Sequence, residues 1–479
     1  MKKITGVLII VFVFSSLLFA ELSSINTYQA GYYPRGIAIA DVNNNGRNEV
    51  VVANFGEDTL IGQDNDVAPT SSISLFSYSS GNLTQQSLSS EKSPRGVATG
   101  DLNEDGKTDF VVSNYDDSSV TIFIQDKNNT FIQQKVEVGK HPVGVAIGKD
   151  EAGPFIAVAI YSENKVVVLT QGISKNGWQK SEIVIPGSPT DVVAGKINNE
   201  NCIVSANYSD GSISLIKKTS SGLEKISDLK VGGGVCKVEV ADVTGDGKND
   251  IITANFYDNT VSVIEIINGS LAEPMTYKLN GQRPNGMAVG DINNDGKIDV
   301  ITANRDSDTI DILLQNSSGK LELTNTIEVT NDDNKSFGPV EIAIGDINGD
   351  GLADIAFTHM RTNTLRVLYQ LGSSSDGKSI AFAEKLSDKN VYNYPNPCSD
   401  KTTIRFSLDK NTEVKIIITD ASGNVVWQKV LSSAETRIGI NNIEWNLVND
   451  AGNKISNGVY ILKVISGDVT VSKKIAVVK

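Results

Sequence analysis

Short aliphatic runs recur in pairs along most of this chain, and each pair brackets a stretch of polar and acidic residues. Ile37-Ala38-Ile39, Val97-Ala98, Val238-Glu239-Val240, Met287-Ala288-Val289 and Ile342-Ala343-Ile344 stand before the polar stretches. Val50-Val51-Val52, Phe110-Val111-Val112, Ile251-Ile252 and Val300-Ile301 stand after them. Runs this short and this rich in β-branched residues predict strands rather than helices. The second run ends in a small residue and an asparagine: Ala53-Asn54, Ser113-Asn114, Ala206-Asn207, Ala254-Asn255, Ala303-Asn304. A polar turn follows, then a third apolar run such as 118–123 or 260–264, then a more polar fourth such as 131–136.

Two further units keep the frame without the acidic middle: 144–149 followed by 156–160, and 191–196 followed by 202–207. Lys149 and Lys196 stand where the other units carry their first Asp; a lysine there is incompatible with binding a cation and could replace its charge. The seven loops start at 41, 101, 149, 196, 242, 291 and 346, with spacings of 46 to 60 residues. Four short strands per repeat of this length predict an all-β, seven-bladed β-propeller, here over residues 21–388. Residues 24–28 read as a fourth strand with no blade before it, placed to close the ring on the last blade and cover its edge. Residues 380–384 compete for that place.

The polar middle is a nine-residue loop present five times. Oxygen-bearing side chains fall at positions 1, 3, 5 and 9, and Gly is always at 6. The sets are Asp41, Asn43, Asn45, Glu49; Asp101, Asn103, Asp105, Asp109; Asp242, Thr244, Asp246, Asp250; Asp291, Asn293, Asp295, Asp299; and Asp346, Asn348, Asp350, Asp354. A hard cation such as Ca2+ takes six to eight oxygens at about 2.3–2.6 Å, gathered by a sharply curved backbone. Gly46, Gly106, Gly247, Gly296 and Gly351 are expected at positive φ, where a Cβ is costly. Main-chain carbonyls at position 7, from Arg47, Lys107, Lys248, Lys297 and Leu352, are expected to complete each set, with the side chains turned outward. The loop at 41 brings two carboxylates where the others bring three, so it is expected to bind weakest. The loops are not EF-hands, which close with Glu at position 12 and run on into a helix. Position 12 here is Val52, Val112, Thr253, Thr302 or Phe357, within a strand. Metal-free Asx turns are the other reading of any one loop; recurrence with Gly fixed favours the cation.

These strand–loop–strand units resemble FG-GAP/VCBS-type repeats, the calcium-loop blades of integrin α-subunit heads and of many bacterial surface proteins. The resemblance covers residues 30 to 385. The Asn-x-x-x-x-Thr-Val pattern also resembles YVTN-type surface propellers, which supports the fold alone.

The two ends read differently. Residues 1–20 carry two lysines and then an apolar stretch, as a secretory signal peptide does, with Ala20 a cleavage position. The stretch suits a leader better than a spanning helix, and no later segment is apolar enough to cross a membrane. At Tyr394-Pro395-Asn396-Pro397 the repeat stops at a rigid break. Strands follow over 402–408, 414–420, 425–430, 442–445, 458–464 and 473–479, with a hairpin turn at Ala421-Ser422-Gly423-Asn424, and predict a small Ig-like β-sandwich over 391–479. Tyr394 to Pro397, Asp420, Gly423, Trp445, Gly452, Gly458-Val459-Tyr460 and the basic tail resemble the C-terminal sorting domain of type IX secretion cargo, related to the FlgD Ig-like fold. The resemblance implies export through a Gram-negative-type envelope, contact with the secretion machinery, and a secreted or cell-surface destination, with the domain cleaved off or exchanged for surface attachment.

Composition narrows the function. The net charge is −14, and the five loops account for much of the acidic excess, so it needs no unusual partner. It argues against nucleic acid, which requires basic patches. Three cysteines, Cys202, Cys236 and Cys398, read as buried small hydrophobes; whether Cys202 and Cys236 meet is open. Only two histidines occur, His141 and His359, with no Ser elbow, HExxH or phosphate loop near them, so catalysis is disfavoured. A pair of acids could do glycosidase or lyase work, but every ordered acid cluster is already committed to the cation loops. The expected function is a calcium-binding surface or secreted adhesion protein for carbohydrate or protein. A structural matrix component is the alternative, and a polysaccharide-acting enzyme ranks below both. The insertion 61–69 is the candidate partner-contacting loop. Asn54, Asn114, Asn207, Asn255 and Asn304 are expected to brace turns rather than line a binding face.

Overall fold

The computed structural model describes residues 21–22, 25–56, 71–371 and 391–478 with short internal gaps, together with residue 386. The leader 1–20, the insertion 61–69 and the competing stretch 380–384 lie outside the described residues. Residues Ile25–Tyr369 form one compact unit, and the chain from Gln370 onward belongs to a second.

In the first unit the described strands form seven antiparallel four-stranded sheets and one two-stranded hairpin, Ile266–Ile267 with Ser270–Leu271. Blade one runs Pro34–Ala40, Glu49–Asn54, Ser72–Ser79 and Asn82–Ser89, in that spatial order. The inner strand of each blade adjoins that of the next, and Pro339–Gly345 of the last adjoins Pro34–Ala40 of the first. The last blade takes its outer strand from the start of the chain: Asn26–Gln29 pairs with Thr364–Leu368, Tyr28 opposite Leu365. This is the closure expected of residues 24–28.

The second strand of each blade explains the composition of the apolar runs. Glu49–Asn54, Asp109–Asn114, Asp250–Asn255, Asp299–Asn304 and Asp354–His359 are buried at every residue. Both faces of such a strand meet a neighbouring sheet, so apolar residues occupy consecutive positions rather than alternate ones. Val51, Ala53, Ile73 and Leu75 of blade one pack on Phe110, Val112 and Phe123 of blade two. Val50, Val52 and Phe76 pack on Ala356, Leu365 and Val367 of the last blade. Each such Val, Leu, Ile or Phe side chain contributes about 1.5–3 kcal/mol of burial, so the core lies between blades and each blade needs two neighbours.

The asparagines ending the second strands are buried braces, as expected. Asn54 Nδ2 donates to Ser72 and Ser74 Oγ, and its Oδ1 accepts the Gly31 amide at 3.1 Å. Asn114, Asn207 and Asn255 repeat the paired donation to the third strand.

Blades three and four lack the nine-residue loop. Pro142–Asp150 turns directly into Gly153–Ile160, with Asp150 opposite Gly153. Lys149 and Lys196 therefore sit in extended, exposed strand ends and fill no cation's place. Lys149 instead pairs with Glu104 of the adjacent loop at 2.9 Å.

In the second unit, Val391–Tyr394, Thr402–Leu408 and Gly439–Trp445 form one sheet, and Val425–Leu431, Val414–Thr419, Gly458–Ser466 and Val469–Val477 another. They share a core containing Phe406, Ile416, Trp445 and Leu462. Asn396 of the Tyr-Pro-Asn-Pro segment donates to the Lys474 carbonyl and accepts the Ala476 amide, both at 2.8 Å, so the motif latches onto the final strand. Asp420 Oδ1 accepts the amides of Ser422 and Asn424, which closes the expected turn. Cys202, Cys236 and Cys398 are buried thiols without disulfides.

Candidate functional site

All five acidic loops join a first strand to a second strand, so they lie along one rim of the ring. Neighbouring blades brace them. Asn48 Nδ2 donates to the Asp346 carbonyl, Asn249 Nδ2 to that of Lys196, and Gln125 Nε2 to that of Val42.

The loops share one internal geometry. The position-1 carboxylate caps the turn: Asp41, Asp101, Asp242, Asp291 and Asp346 each accept the position-5 amide at 3.0–3.2 Å and the position-6 amide at 2.8–2.9 Å. The position-5 oxygen of Asn45, Asp105, Asp246, Asp295 or Asp350 accepts the position-7 amide of Arg47, Lys107, Lys248, Lys297 or Leu352. The position-6 glycines have φ of 81–84°, and a Cβ there would meet nothing within 4 Å. Glycine is thus required by conformation rather than by space. Position 4 is also left-handed, at Asn44, Glu104, Gly245, Asn294 and Gly349, a requirement the sequence reading did not include.

The position-9 carboxylates stand behind the loops. Glu49, Asp109, Asp250, Asp299 and Asp354 are buried, and each accepts the position-2 amide at 2.9–3.2 Å. Asp109 and Asp299 also accept the amides of Gln125 and Gln315. Burial pushes the carboxyls of Glu49 and Asp299 up to about 7 and those of Asp109 and Asp250 up to about 6.

These residues suit a hard cation in donor type. All donors are oxygens, and among the described residues no cationic side chain offsets the burial of Glu49, Asp109, Asp250 or Asp299. At position 3, Asn43 Oδ1 is buried without a hydrogen-bond partner. Thr244 Oγ1 likewise has no well-formed hydrogen bond, although it stands near enough to Asp250 to oppose the rise in its pKa. The other position-3 oxygens, on Asn103, Asn293 and Asn348, accept the position-5 amide. Among the described residues no three His, Cys, Asp or Glu side chains are grouped so that they could hold a metal ion. The position-7 side chains depart from the outward placement expected. Lys248 and Lys297 fold back onto Asp246 and Asp295, at 3.4 and 2.9 Å, because those carboxylates attract the nearest cation. Lys107 reaches the Asp126 carbonyl.

A second site lies at the opposite ends of the inner strands. Each inner strand carries a register shift at its start, as between Pro34 and Ile37 or Pro189 and Asp191. The residue in that bulge faces the neighbouring strand. At Gly36 a Cβ would stand 2.1 Å from the Arg95 carbonyl oxygen, and at Gly96 2.4 Å from that of Val143. A Cβ at Gly144 would stand 2.6 Å from Asp191, and one at Gly286 2.8 Å from Glu341. The other three blades place Asp191, Lys237 and Glu341 there. Lys237 Nζ lies 3.1 Å from Asp191 Oδ2 and 3.5 Å from Glu341 Oε2. Burial disfavours the Lys237 charge, but Asp191 and Glu341 more than offset it and raise its pKa. Burial pushes Glu341 and nearby Glu239 up to about 7 against the pull of Lys237.

This ion cluster borders a cleft of about 320 Å3. Arg35 and Arg95 line it together with residues that follow the second strands, Tyr115, Tyr161, Tyr208, Phe256 and Arg305. Arg35 stacks over Phe55 at 4.7 Å, Arg95 over Tyr115 at 5.2 Å and Arg305 over Phe256 at 4.8 Å. His141 stacks on Tyr115, with its Nδ1 2.6 Å from Ser162 Oγ. The sequence reading missed this cleft because its residues come from separate repeats. Aligning the repeats shows the signal: the bulge column is Gly except at Asp191, Lys237 and Glu341.

Comparison with known families matches an FG-GAP-like repeat at residues 41–112, 242–302 and 291–357. A secretion system C-terminal sorting domain matches at 392–478. No curated protein matches the sequence. Among solved structures, BBS1N in complex with ARL6DN is similar over 74% of this chain and 98% of that one, at 11% identity and a TM-score of 0.53. That likeness concerns fold alone. A periplasmic gluconolactonase of Pseudomonas aeruginosa matches over 64% of this chain and 97% of its own, at 14% identity and a TM-score of 0.49. PorZ of Porphyromonas gingivalis, a bacterial surface component of the type-IX secretion system, matches over 94% of this chain and 60% of its own, at 14% identity and a TM-score of 0.44.

Proposed function

We propose that this chain, an exported surface protein with FG-GAP-like repeats and a type IX sorting domain, is a binding protein that grips a carbohydrate or protein ligand in the central cleft of a calcium-stapled propeller. One observation carries the reading. The cleft gathers arginine and aromatic side chains from several blades at one place, rigidly held by seven inner strands. Small-ligand sites are concave, with a few placed polar groups among aromatic walls. Tyr115, Phe256 and Arg305 each follow a second strand buried at every residue, Tyr161 and Tyr208 follow second strands buried over their last six residues, and Arg35 and Arg95 lie in inner strands, so the wall is set by the scaffold rather than by a long loop.

Calcium belongs to the opposite rim. Asp101, Asn103, Asp105 and Asp109, with the Lys107 carbonyl, would hold one ion, and the four sister loops would do the same with their own residues. A bound divalent cation supplies positive charge beside buried carboxylates that burial otherwise drives toward protonation. Its role here is stability. The cleft itself does not depend on the loops for any lining residue.

The test is binding of the full exported chain to a glycan array and to surface-protein extracts, with calcium and with chelator. Saturable binding that falls on Tyr115→Ala supports the reading. Self-association alone would favour a matrix component, and product release would favour an enzyme.

A further inference from the structure

We infer that the cation loops are coupled in pairs by buried glutamines of the following blade. Gln125 joins the loop at 41 to the loop at 101, and Gln315 joins the loop at 242 to the loop at 291. The inference rests on the calcium reading above and adds two positioning residues and a form of regulation to those sites.

Gln125 and Gln315 end the third strands of their blades and are 1% and 4% exposed. Each is bonded at both ends. The Gln125 main-chain amide donates to Asp109 Oδ1 at 2.8 Å, and its Nε2 donates to the Val42 carbonyl at 2.8 Å. Asp109 is position 9 of its own blade's loop; Val42 is position 2 of the loop in the blade before. Gln315 repeats this, donating from its amide to Asp299 Oδ1 at 2.9 Å and from Nε2 to the Asp242 carbonyl at 3.4 Å. The accepting peptides lead on to the next position-9 acid. The N–H of the Val42–Asn43 peptide bonds to Glu49, and that of the Asp242–Val243 peptide to Asp250 Oδ2 at 3.1 Å. One glutamine and one peptide therefore separate the closing acids of adjacent loops. Asp242 and Thr244 line one crevice with Gly296, Lys297 and Gln315.

Gln125 Oε1 is buried without a hydrogen-bond partner. An apolar side chain would avoid that cost; the bond to the neighbouring loop is what such a side chain would lack. The repeat points the same way. Strand register puts Gln171 at the same place in blade three, which follows a blade with a loop. After the loopless blades three and four the place is taken by Lys218 and Ile266. Lys218 reaches back to Asp150, in the shortened connector of blade three, at 2.6 Å. In blade one the place holds Tyr78, and there Asn48 makes the loop-to-loop bond. The position thus addresses whatever connector the preceding blade carries.

Once Asp109 is held in a filled loop, Gln125 is fixed with it, and the Val42–Asn43 peptide is held where Glu49 needs it. Ordering done for one loop is not repeated for the next, which is positive coupling, and such coupling is reciprocal. The loop at 41, with the fewest carboxylates, gains most. Charge acts in the opposite sense, because a filled loop attracts its neighbour's cation less than an empty one does; salt screens that part.

The experiment is hydrogen-exchange mass spectrometry of the full exported chain titrated with calcium, in which peptides spanning each loop give each its own midpoint. Asp105→Asn, at an exposed position, weakens the loop at 101 directly. The midpoint of the loop at 41 should rise with it, by about fivefold or more, and that of the loop at 291 should stay. The rise should persist at high salt, which screens the charge lost from Asp105. Gln125→Met keeps the main-chain amide and removes the side-chain donor; in that background the loop at 41 should no longer follow Asp105→Asn. Gln315→Met with Asp295→Asn tests the other pair in the same way. A midpoint at 41 that is unmoved or falls overturns the inference, and this outcome does not depend on the folding of the Met variant. A rise that vanishes at high salt, or that survives Gln125→Met, also overturns it, and each leaves the calcium reading intact. If no loop gains protection in calcium, the calcium reading fails and the inference with it.

Discussion

Asn48 donates from its side-chain amide to the main-chain carbonyl of Asp346 at 2.8 Å, although the two residues are 298 positions apart. The bond ties the loop of the first blade to that of the last. It crosses the junction where Tyr28 pairs with Leu365 and Val50 packs on the last blade's core. Ring closure thus has three parts: a borrowed strand, an apolar seam and a loop-to-loop bond. Asn48→Ala removes the third part alone. The expected cost is about 1 kcal/mol, the worth of a typical hydrogen bond, read as a lower denaturation midpoint with unchanged m-value.

The calcium reading has its own test. Metal that binds only the native state stabilises it by mass action, about 1.4 kcal/mol per site at ten times Kd. Extracellular sites commonly bind at about 10⁻⁴–10⁻³ M, so millimolar calcium should raise the propeller's melting temperature markedly. The transition of residues 391–479 should hardly move. Asp299→Asn separates ligand from brace. With its pKa at about 7, the unliganded Asp299 carboxyl binds its proton more tightly folded than unfolded. Stability from that source is full below the unfolded pKa and is lost as pH rises toward 7. At neutral pH the Asn variant keeps one acceptor for the Ile292 and Gln315 amides instead of two, so it should cost about 1–3 kcal/mol in chelator and clearly more in calcium. Equal melting of the wild type in both conditions would remove calcium from the account.

Much of this was legible in the sequence because period and chemistry coincide. The β-branched runs, the Asn braces and the fixed glycines all follow from positions that repeat. The closing strand at 26–29 was readable because it lacked a blade of its own. The Asp191–Lys237–Glu341 cluster was not readable in this way. Its members lie on three blades, and each is a departure from the repeat rather than an instance of it. The turn-back at Asp150 was hidden for a related reason. Lys149 aligned with a loop start, whereas the shortened connector simply extends the strand pairing.

Lys237→Met tests the cluster directly. It leaves Asp191, Glu341 and Glu239 crowded, with Arg95 the remaining cation acting on Glu341. Breaking a buried pair from one side commonly costs about 3–5 kcal/mol. The triple change Lys237→Met, Asp191→Asn, Glu341→Gln removes the charges together and should recover most of the loss. A single-site cost that the triple change does not relieve would show that Lys237 matters through packing alone.

His359 sets the acid limit of the propeller. It is buried at the end of the last blade's second strand, with Nδ1 3.0 Å from Thr362 Oγ1. Burial and then the charge of Arg366 pull its pKa down to about 4 from 6.5. The folded state therefore resists a proton that the unfolded chain accepts. Stability from this source is full above pH 6.5 and is lost as pH falls toward 4, on the order of 3 kcal/mol for a shift of this size. Glu239 and Glu341, with pKa values of about 7, act in the opposite sense and add stability over the same fall in pH. The net curve mixes the two, so the informative quantity is a difference between variants. In His359→Gln the change in unfolding free energy between pH 7 and pH 5 should become more favourable to the acid side than in wild type. In Glu239→Gln with Glu341→Gln it should become less so. Denaturant titrations at the two pH values measure both. Identical pH dependence in wild type and His359→Gln would mean that the imidazole finds a partner for its proton in the folded state.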